Sequence, residues 1–229
     1  VVERTGQSYV SNPNERVILA SEFFKAFPDK KKTASVVDLG LYIDSLYDLD
    51  LSRLTFKARG WLWYEWTKTA LIDGKVDPGQ MGNFDLNFLD ESDVNQEISS
   101  QRPVVKEGPD GSTANWNETS FDAKLSAPAI NLHNYPFDRQ QLSILVTNPV
   151  LETGELMYKI QQFRLPPRVF NISGYKLDGI SYADEIRIYT SNFSNSSNVS
   201  WLDGTATTQS QAAFKIFISR NPLTCLLYT

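Results

Sequence analysis

The sequence has few of the residues from which catalytic and metal sites are built. Its 229 residues include one histidine, His133, and one cysteine, Cys225. A single cysteine excludes an internal disulfide, and no His/Cys metal spacing or Gly-rich phosphate loop is present. A Ser-His-Asp or Cys-His site would need His133, which has no nucleophile motif beside it. The sequence therefore predicts a protein that is not an enzyme and that uses no metal or cofactor.

Positive charge and long apolar runs are also scarce. The chain has 22 Lys and Arg against 27 Asp and Glu, a net charge of −5, which makes nucleic acid an unsuitable partner. No run approaches the roughly 20 apolar residues that cross a bilayer. The first ten residues, "VVERTGQSYV", are polar and do not resemble a signal peptide. The sequence as it stands predicts a soluble domain.

The hydrophobic period changes near residue 36. Before it, Asn12 can cap a helix and Pro13 suits the first helical position, so "ERVILASEFFKAF" predicts a helical segment over residues 1–35. From Val36 onward, apolar and polar residues alternate in short runs separated by "DG", "DPG" and "PDG" turns. We therefore expect residues 36–229 to form an all-β, antiparallel, immunoglobulin-like β-sandwich of about ten strands after an N-terminal helix. Strand candidates are 36–44, 54–66, 84–89, 102–106, 113–126, 141–147, 156–165, 179–190 and 211–219.

Two tryptophans lie on the polar face of their predicted strand. Within residues 54–66 the even positions are apolar, whereas Trp61 and Trp63 share the odd face with Lys, Arg and Glu. Indoles facing water indicate an interface or a ligand surface, unless a second sheet or a loop covers them. Trp66 is five positions from Trp61, so it faces the opposite side and belongs to the core.

Three segments in a fixed order resemble one family. They are "VDLGLYIDSLYDLDLSRLTFKARGWLWYEW", "YPFDRQQL" and "ISRNP", which lie within residues 36–229. They are similar to the first two strands, the signature turn and the pre-membrane segment of the extracellular ligand-binding domain of pentameric ligand-gated ion channels, the Cys-loop receptor superfamily. Pro128 and Leu142 stand where animal members have cysteines, as in bacterial-type members.

The resemblance implies a coupling region at the membrane end of the domain. Tyr135, Pro136 and Phe137 would contact channel helices, and Asp138 would face Arg220. The loop "YDLDL" would supply the other contact with the channel, through Asp48, Leu49 and Asp50. We expect Phe137, Leu49 and the terminal "CLLYT" to form an exposed apolar tip. The alternative is that the turn and its ion pair are only structural.

The resemblance also implies an agonist site between neighbouring subunits. Trp61 matches the complementary-side strand, Trp63 shares its face, and Phe88 matches a principal-side aromatic. Tyr189, Phe193 and Trp201 are the candidates from the capping loop around residues 191–209. Pro149 replaces an aromatic residue of that site, so a quaternary ammonium ligand is not indicated and the class of agonist stays open.

The function implied is that of the agonist-binding domain of a prokaryotic pentameric channel. Its partners would be four further copies of the chain, a small-molecule agonist, and the membrane through a transmembrane part beginning near Thr229. It would lie on the extracellular or periplasmic face of the cell membrane. One alternative is a stand-alone soluble ligand-binding protein of the same fold. Another is a glycan-active enzyme, for which no Asp/Glu pair in a recognisable site is seen.

Overall fold

The computed structural model describes residues 15–67, 85–86, 104–107, 113–135, 137–189 and 206–221. Ten strands and two short helices lie in these ranges, together with a 3₁₀ turn at Pro167–Val169. In chain order they are β1 (Glu15–Leu19), α1 (Ala20–Ala26), α2 (Pro28–Thr33), β2 (Ser35–Asp50), β3 (Thr55–Thr67), β4 (Asp85–Leu86), β5 (Val104–Glu107), β6 (Thr113–Ser126), β7 (Arg139–Thr147), β8 (Leu156–Arg164), β9 (Tyr175–Tyr189) and β10 (Thr207–Arg220).

The strands form two five-stranded sheets. Sheet A has the order β1-β9-β10-β7-β4, and sheet B has the order β5-β6-β3-β2-β8. Neighbouring strands are antiparallel except β2 and β8, which run parallel. The all-β sandwich of about ten strands is therefore confirmed, with one parallel pair as a difference from the predicted antiparallel arrangement.

The main core lies between the two sheets and follows the alternation seen in the sequence. On β2, Val37, Leu39, Leu41 and Ile43 are all buried and face the core. Sheet A contributes every second residue of β10 from Ala212 to Ile218, including Phe214, to the same cluster. The period of two thus gives each sheet one apolar face, and burying both faces against each other is the main source of stability.

The N-terminal segment is not entirely helical, contrary to the prediction. Glu15–Leu19 form strand β1, which pairs antiparallel with the edge of β9. The prediction was wrong there because β-branched Val17 and Ile18 find an unpaired strand edge, and tertiary pairing outweighs local helical tendency. Helix α1 follows and packs Phe23 and Phe24 on sheet A in a second, smaller cluster. Asn12 and Pro13 lie outside the described residues.

Helices α1 and α2 have seven and six residues, and no helix in the described ranges is long and apolar enough to cross a bilayer.

Candidate functional site

The signature turn between β6 and β7 presents two aromatic rings to solvent. The Tyr135 N–H donates to the Leu132 carbonyl at 3.1 Å, and the Phe137 N–H donates to the Asn134 carbonyl at 2.7 Å. These two local bonds fold the chain back on itself, and Tyr135 and Phe137 are 64% and 74% exposed. Pro136 between them lies outside the described residues. The turn therefore forms an exposed aromatic tip.

Directly after the tip, the chain turns inward at a buried carboxylate. Asp138 is 1% exposed, and its Oδ1 accepts from Nε of Arg220 at 2.7 Å. Nη2 of Arg220 donates to the other carboxylate oxygen at 3.3 Å, and the Arg220 backbone N–H donates to the Asp138 carbonyl at 3.2 Å. Gln140 Nε2 adds a third side-chain donor at 2.6 Å. The predicted contact between Asp138 and Arg220 is present, at the end of β10.

Arg220 also connects the buried pair to the exposed tip. Its guanidinium carbon lies 4.9 Å from the ring centre of Tyr135 and 4.7 Å from that of Tyr175, and Nη2 donates to the Tyr175 hydroxyl. A guanidinium this close to two aromatic rings gains cation–π attraction from each of them. Sequence reasoning missed Gln140 and Tyr175. Gln140 could have been found from its place in "FDRQQ", whereas Tyr175 is distant in sequence and comes close only through the β9–β10 pairing.

The electrostatic environment keeps Asp138 charged. Burial raises the pKa of Asp138, but the hydrogen bonds from Arg220 and Gln140, together with the positive charge of Arg220, outweigh that effect. The pKa of Asp138 is therefore lower than that of an ordinary aspartate. Removing one partner would leave the other buried charge unpaired, which costs more than the intact pair contributes.

This lowered pKa predicts a specific loss of stability in acid. The charged form stabilises the fold fully above the unfolded pKa of about 3.9, and the contribution is lost as the pH falls through the lower folded pKa. We expect unfolding free energies measured below pH ~4 to fall less steeply with decreasing pH for Asp138→Asn than for the unmodified chain. Asp29 is the matched control, because its side chain is exposed and pairs with exposed Lys32. Asp29→Asn should keep the original slope, and equal slopes for the two variants would contradict the prediction.

The loop between β2 and β3 is held by its aspartates. Asp50 Oδ1 accepts the hydroxyl of Ser52 at 2.7 Å and the backbone N–H groups of Ser52 at 2.9 Å and Arg53 at 3.0 Å. The hydroxyl bond from Ser52, followed by the backbone bonds, lowers the pKa of Asp50. Asp48 has a φ of 54° and its carboxylate lies 2.8 Å from Nζ of Lys57. Asp48 and Asp50 thus shape the turn rather than projecting freely from it.

Leu49 does not form part of the exposed tip. It is partly buried and packs against the main core, so the prediction that it is exposed was wrong. The β2–β3 register shifts between Tyr47 and Asp50, and this irregularity turns Leu49 inward. Leu54, at a φ of 55°, is 39% exposed in the same loop. The terminal "CLLYT" segment lies outside the described residues.

The loop, the turn and Arg220 lie at one end of the sandwich. Thr55, which follows the loop, pairs with Ser126 at the end of β6, and the Ala127 N–H donates to the Leu54 carbonyl at 2.7 Å. The turn then leads into β7, whose first residue pairs with Ser219 next to Arg220. The fold therefore gathers at one end of the sandwich three segments that are distant in sequence, namely the 48–50 loop, the turn and Arg220.

The outer face of sheet B carries the aromatic surface predicted from β3. Trp61 is 40% exposed and stands opposite Tyr42 of β2, which sequence reasoning missed because the strand register was needed to find it. Trp63 is half-buried and lies over Gly40, where even one added carbon atom would overlap its indole ring. A glycine at this position therefore lets the Trp63 ring lie flat on the sheet.

Three candidate ligand residues, Trp61, Trp63 and Tyr189, lie within the described ranges, and they are on different surfaces of the chain. Tyr189 ends β9 in sheet A, where its hydroxyl donates to Gln209 Oε1 at 2.9 Å. Trp61 and Trp63 face outward from sheet B, away from sheet A. One copy of the chain therefore does not bring them together. Phe88, Phe193 and Trp201 lie outside the described residues.

Neither a comparison with models of known protein families nor a comparison with curated proteins gave a match for this chain.

Proposed function

We propose that this chain is the agonist-binding domain of a bacterial-type pentameric ligand-gated ion channel, on the extracellular or periplasmic side of the cell membrane. The observation that carries the proposal is the exposed aromatic tip built directly on a buried charge pair. Tyr135 and Phe137 face solvent, while the next residue, Asp138, is fully buried against Arg220. The resemblance of "YPFD" and "ISRNP" to the family's coupling segments supports the same function.

The tip has the character of a docking surface. Burying one large apolar side chain stabilises a contact by about 1.5–3 kcal/mol. A partner that covered both aromatic rings would therefore gain several kcal/mol of binding free energy. The contact of Tyr135 with Arg220 joins that surface to β10. A displacement of the tip would therefore disturb the ion pair and the strand that leads toward the 190–205 segment, where the agonist would bind.

The separation of Trp61 from Tyr189 supports a ring of copies. A ligand that touches both must lie between two chains, with sheet B of one facing sheet A of the next. Such a head-to-tail contact uses different surfaces on the two copies, and it closes into a ring when the rotation permits. Agonist would then favour the open ring by its difference in affinity between open and closed states.

The direct test uses the whole protein encoded by the gene that contains this sequence. We expect the reading frame to continue past Thr229 into about 20 apolar residues and the purified protein to form pentamers. In planar lipid bilayers, a screen of small amines, amino acids and carboxylates should identify a compound that evokes current. A reading frame that stops without an apolar segment, with the chain remaining soluble, would instead indicate the stand-alone binding protein.

A further inference from the structure

Arg220 lies where three strands of sheet A come together at one end of the sandwich. In this sheet β10 lies between β9 and β7, and Arg220 is the last residue of β10. Tyr175, the first residue of β9, pairs with Arg220 on one side, and Asp138 directly precedes β7 on the other. Only 13% of the Arg220 side chain is exposed. The fold therefore brings groups from both neighbouring strands to one guanidinium.

Two nitrogens of Arg220 hold Asp138 unequally. Nε donates to Oδ1 of Asp138 at 2.7 Å, whereas Nη2 donates to Oδ2 at 3.3 Å. The shorter bond of Nη2, at 2.5 Å, goes to the neutral hydroxyl of Tyr175. Hydrogen bonds between charged partners are ordinarily the shorter ones, at about 2.7–2.9 Å. The Tyr175 hydroxyl therefore draws Nη2 away from a symmetrical two-bond contact with the carboxylate.

Gln140 supplies the donor that this arrangement takes from Asp138. Its Nε2 donates to Oδ2 of Asp138, the oxygen that Nη2 reaches only at 3.3 Å, and this bond is 2.6 Å long. Both residues are buried, and a buried carboxylate oxygen without a close donor would be costly. Arg220 can therefore hold Tyr175 while each oxygen of Asp138 keeps one close donor.

The same guanidinium supports the exposed tip. The guanidinium carbon of Arg220 lies 4.9 Å from the ring centre of Tyr135, in addition to its 4.7 Å contact with the Tyr175 ring. Cation–π attraction depends on where the cation lies over the ring. The orientation that the Tyr175 hydroxyl gives to Arg220 therefore determines how the Tyr135 ring packs.

From these contacts we propose that Tyr175 is a positioning residue of the coupling region and acts on the tip through Arg220. Strand β9 runs from Tyr175 to Tyr189, the candidate agonist residue at its other end. A displacement of β9 by agonist would move the Tyr175 hydroxyl, and Nη2 of Arg220 would follow it. This role in gating rests on the proposed function, whereas the coupling of Tyr175 to Tyr135 through Arg220 does not.

Urea denaturation of the 229-residue chain tests whether Arg220 connects the two tyrosines. Tyr175→Phe removes the hydroxyl and keeps the ring on Arg220, and Tyr135→Leu removes the other ring. Changes at residues that share a partner have non-additive effects on stability, whereas distant changes add. We expect the unfolding equilibrium constant of the double variant to depart from additivity by at least about threefold. A smaller departure would overturn the proposal.

A control and a third change locate the connection. Tyr182 also lies in β9 and is partly buried, but it packs against the main core, so Tyr182→Phe should be additive with Tyr135→Leu. In an Arg220→Gln background, the non-additivity of Tyr175→Phe and Tyr135→Leu should disappear. If it persists, the tyrosines interact without Arg220 and the proposal is wrong. If Arg220→Gln does not fold, the first cycle and its Tyr182→Phe control decide.

Currents from the proposed whole channel test the role in gating. Tyr175→Phe should shift the agonist concentration for half-maximal current by at least about threefold, and Tyr182→Phe should leave it unchanged. An unshifted midpoint for Tyr175→Phe in a channel that conducts would overturn the gating role, while the proposed function would stand. If the unmodified protein passes no current with any compound, the proposed function fails, and the urea measurements alone decide whether Tyr175 positions Arg220.

Discussion

Replacing Trp66 by alanine is expected to lower the free energy of unfolding by about 3–5 kcal/mol, as large-to-small changes in a core do. Trp66 is 8% exposed and belongs to the core cluster between the sheets. Its ring stacks on Tyr64 with centres 5.6 Å apart and planes 13° apart. The indole Nε1 has no hydrogen-bond partner in the described structure, so the stabilisation that Trp66 provides comes from packing.

Trp61 is the matched control for this effect. It lies in the same strand, five residues earlier, and is 40% exposed on the opposite face of sheet B. Trp61→Ala leaves no cavity in the core, so we expect it to cost about 1 kcal/mol or less. Both variants are measured by urea denaturation under the same conditions. Equal destabilisation would show that the two faces of β3 are buried alike in the folded protein.

The core could be predicted from sequence because it depends on a local period. The alternation in β2 assigns Val37, Leu39 and Leu41 to one face whatever the partner strands are, and the structure buries all three. The exposed position expected for Leu49 came from the resemblance instead, and it was wrong. An irregularity in the register shifts the parity after Tyr47, and it depends on the pairing with β3. Strand β1 was missed for a related reason, because its partner β9 follows more than 150 residues later.

The exposure and burial of the turn residues could be predicted from the local sequence, but the residues that contact the turn could not. "YPFD" places two aromatic residues ahead of an aspartate, and the structure exposes the first two and buries the third. The β9–β10 pairing brings Tyr175 opposite Arg220, and no local motif marks this tyrosine. Likewise, Glu15 and Tyr189 stand opposite each other only because β1 adds to the edge of sheet A. Contacts that depend on the order of strands in a sheet cannot be predicted without the tertiary structure.

In the proposed whole channel, Phe137→Ala is expected to abolish most of the agonist-evoked current while leaving the amount of agonist bound at saturation unchanged. Phe137 is 74% exposed, so its removal takes little from the fold of this domain, and unfolding free energy should change by no more than about 0.5 kcal/mol. Its ring is available to pack on the membrane part, and that contact would be lost. The proposed agonist site, between Trp61 of one copy and Tyr189 of the next, does not include Phe137 and should bind as before.

Val36 provides the control, because it is also an exposed apolar side chain, 36% accessible, but lies at the start of β2, away from the turn. Val36→Ala should give normal currents, whereas Phe137→Ala should not, with radioligand binding measured on the same membranes. If Phe137→Ala lowers binding and current together, the turn acts on the agonist site rather than on the pore. Normal gating in this variant would mean that "YPFD" is a structural corner whose exposed rings have no partner in the channel. Current and radioligand binding distinguish these cases. A side chain that contacts only the pore changes the closed-to-open equilibrium and makes no contact with the agonist.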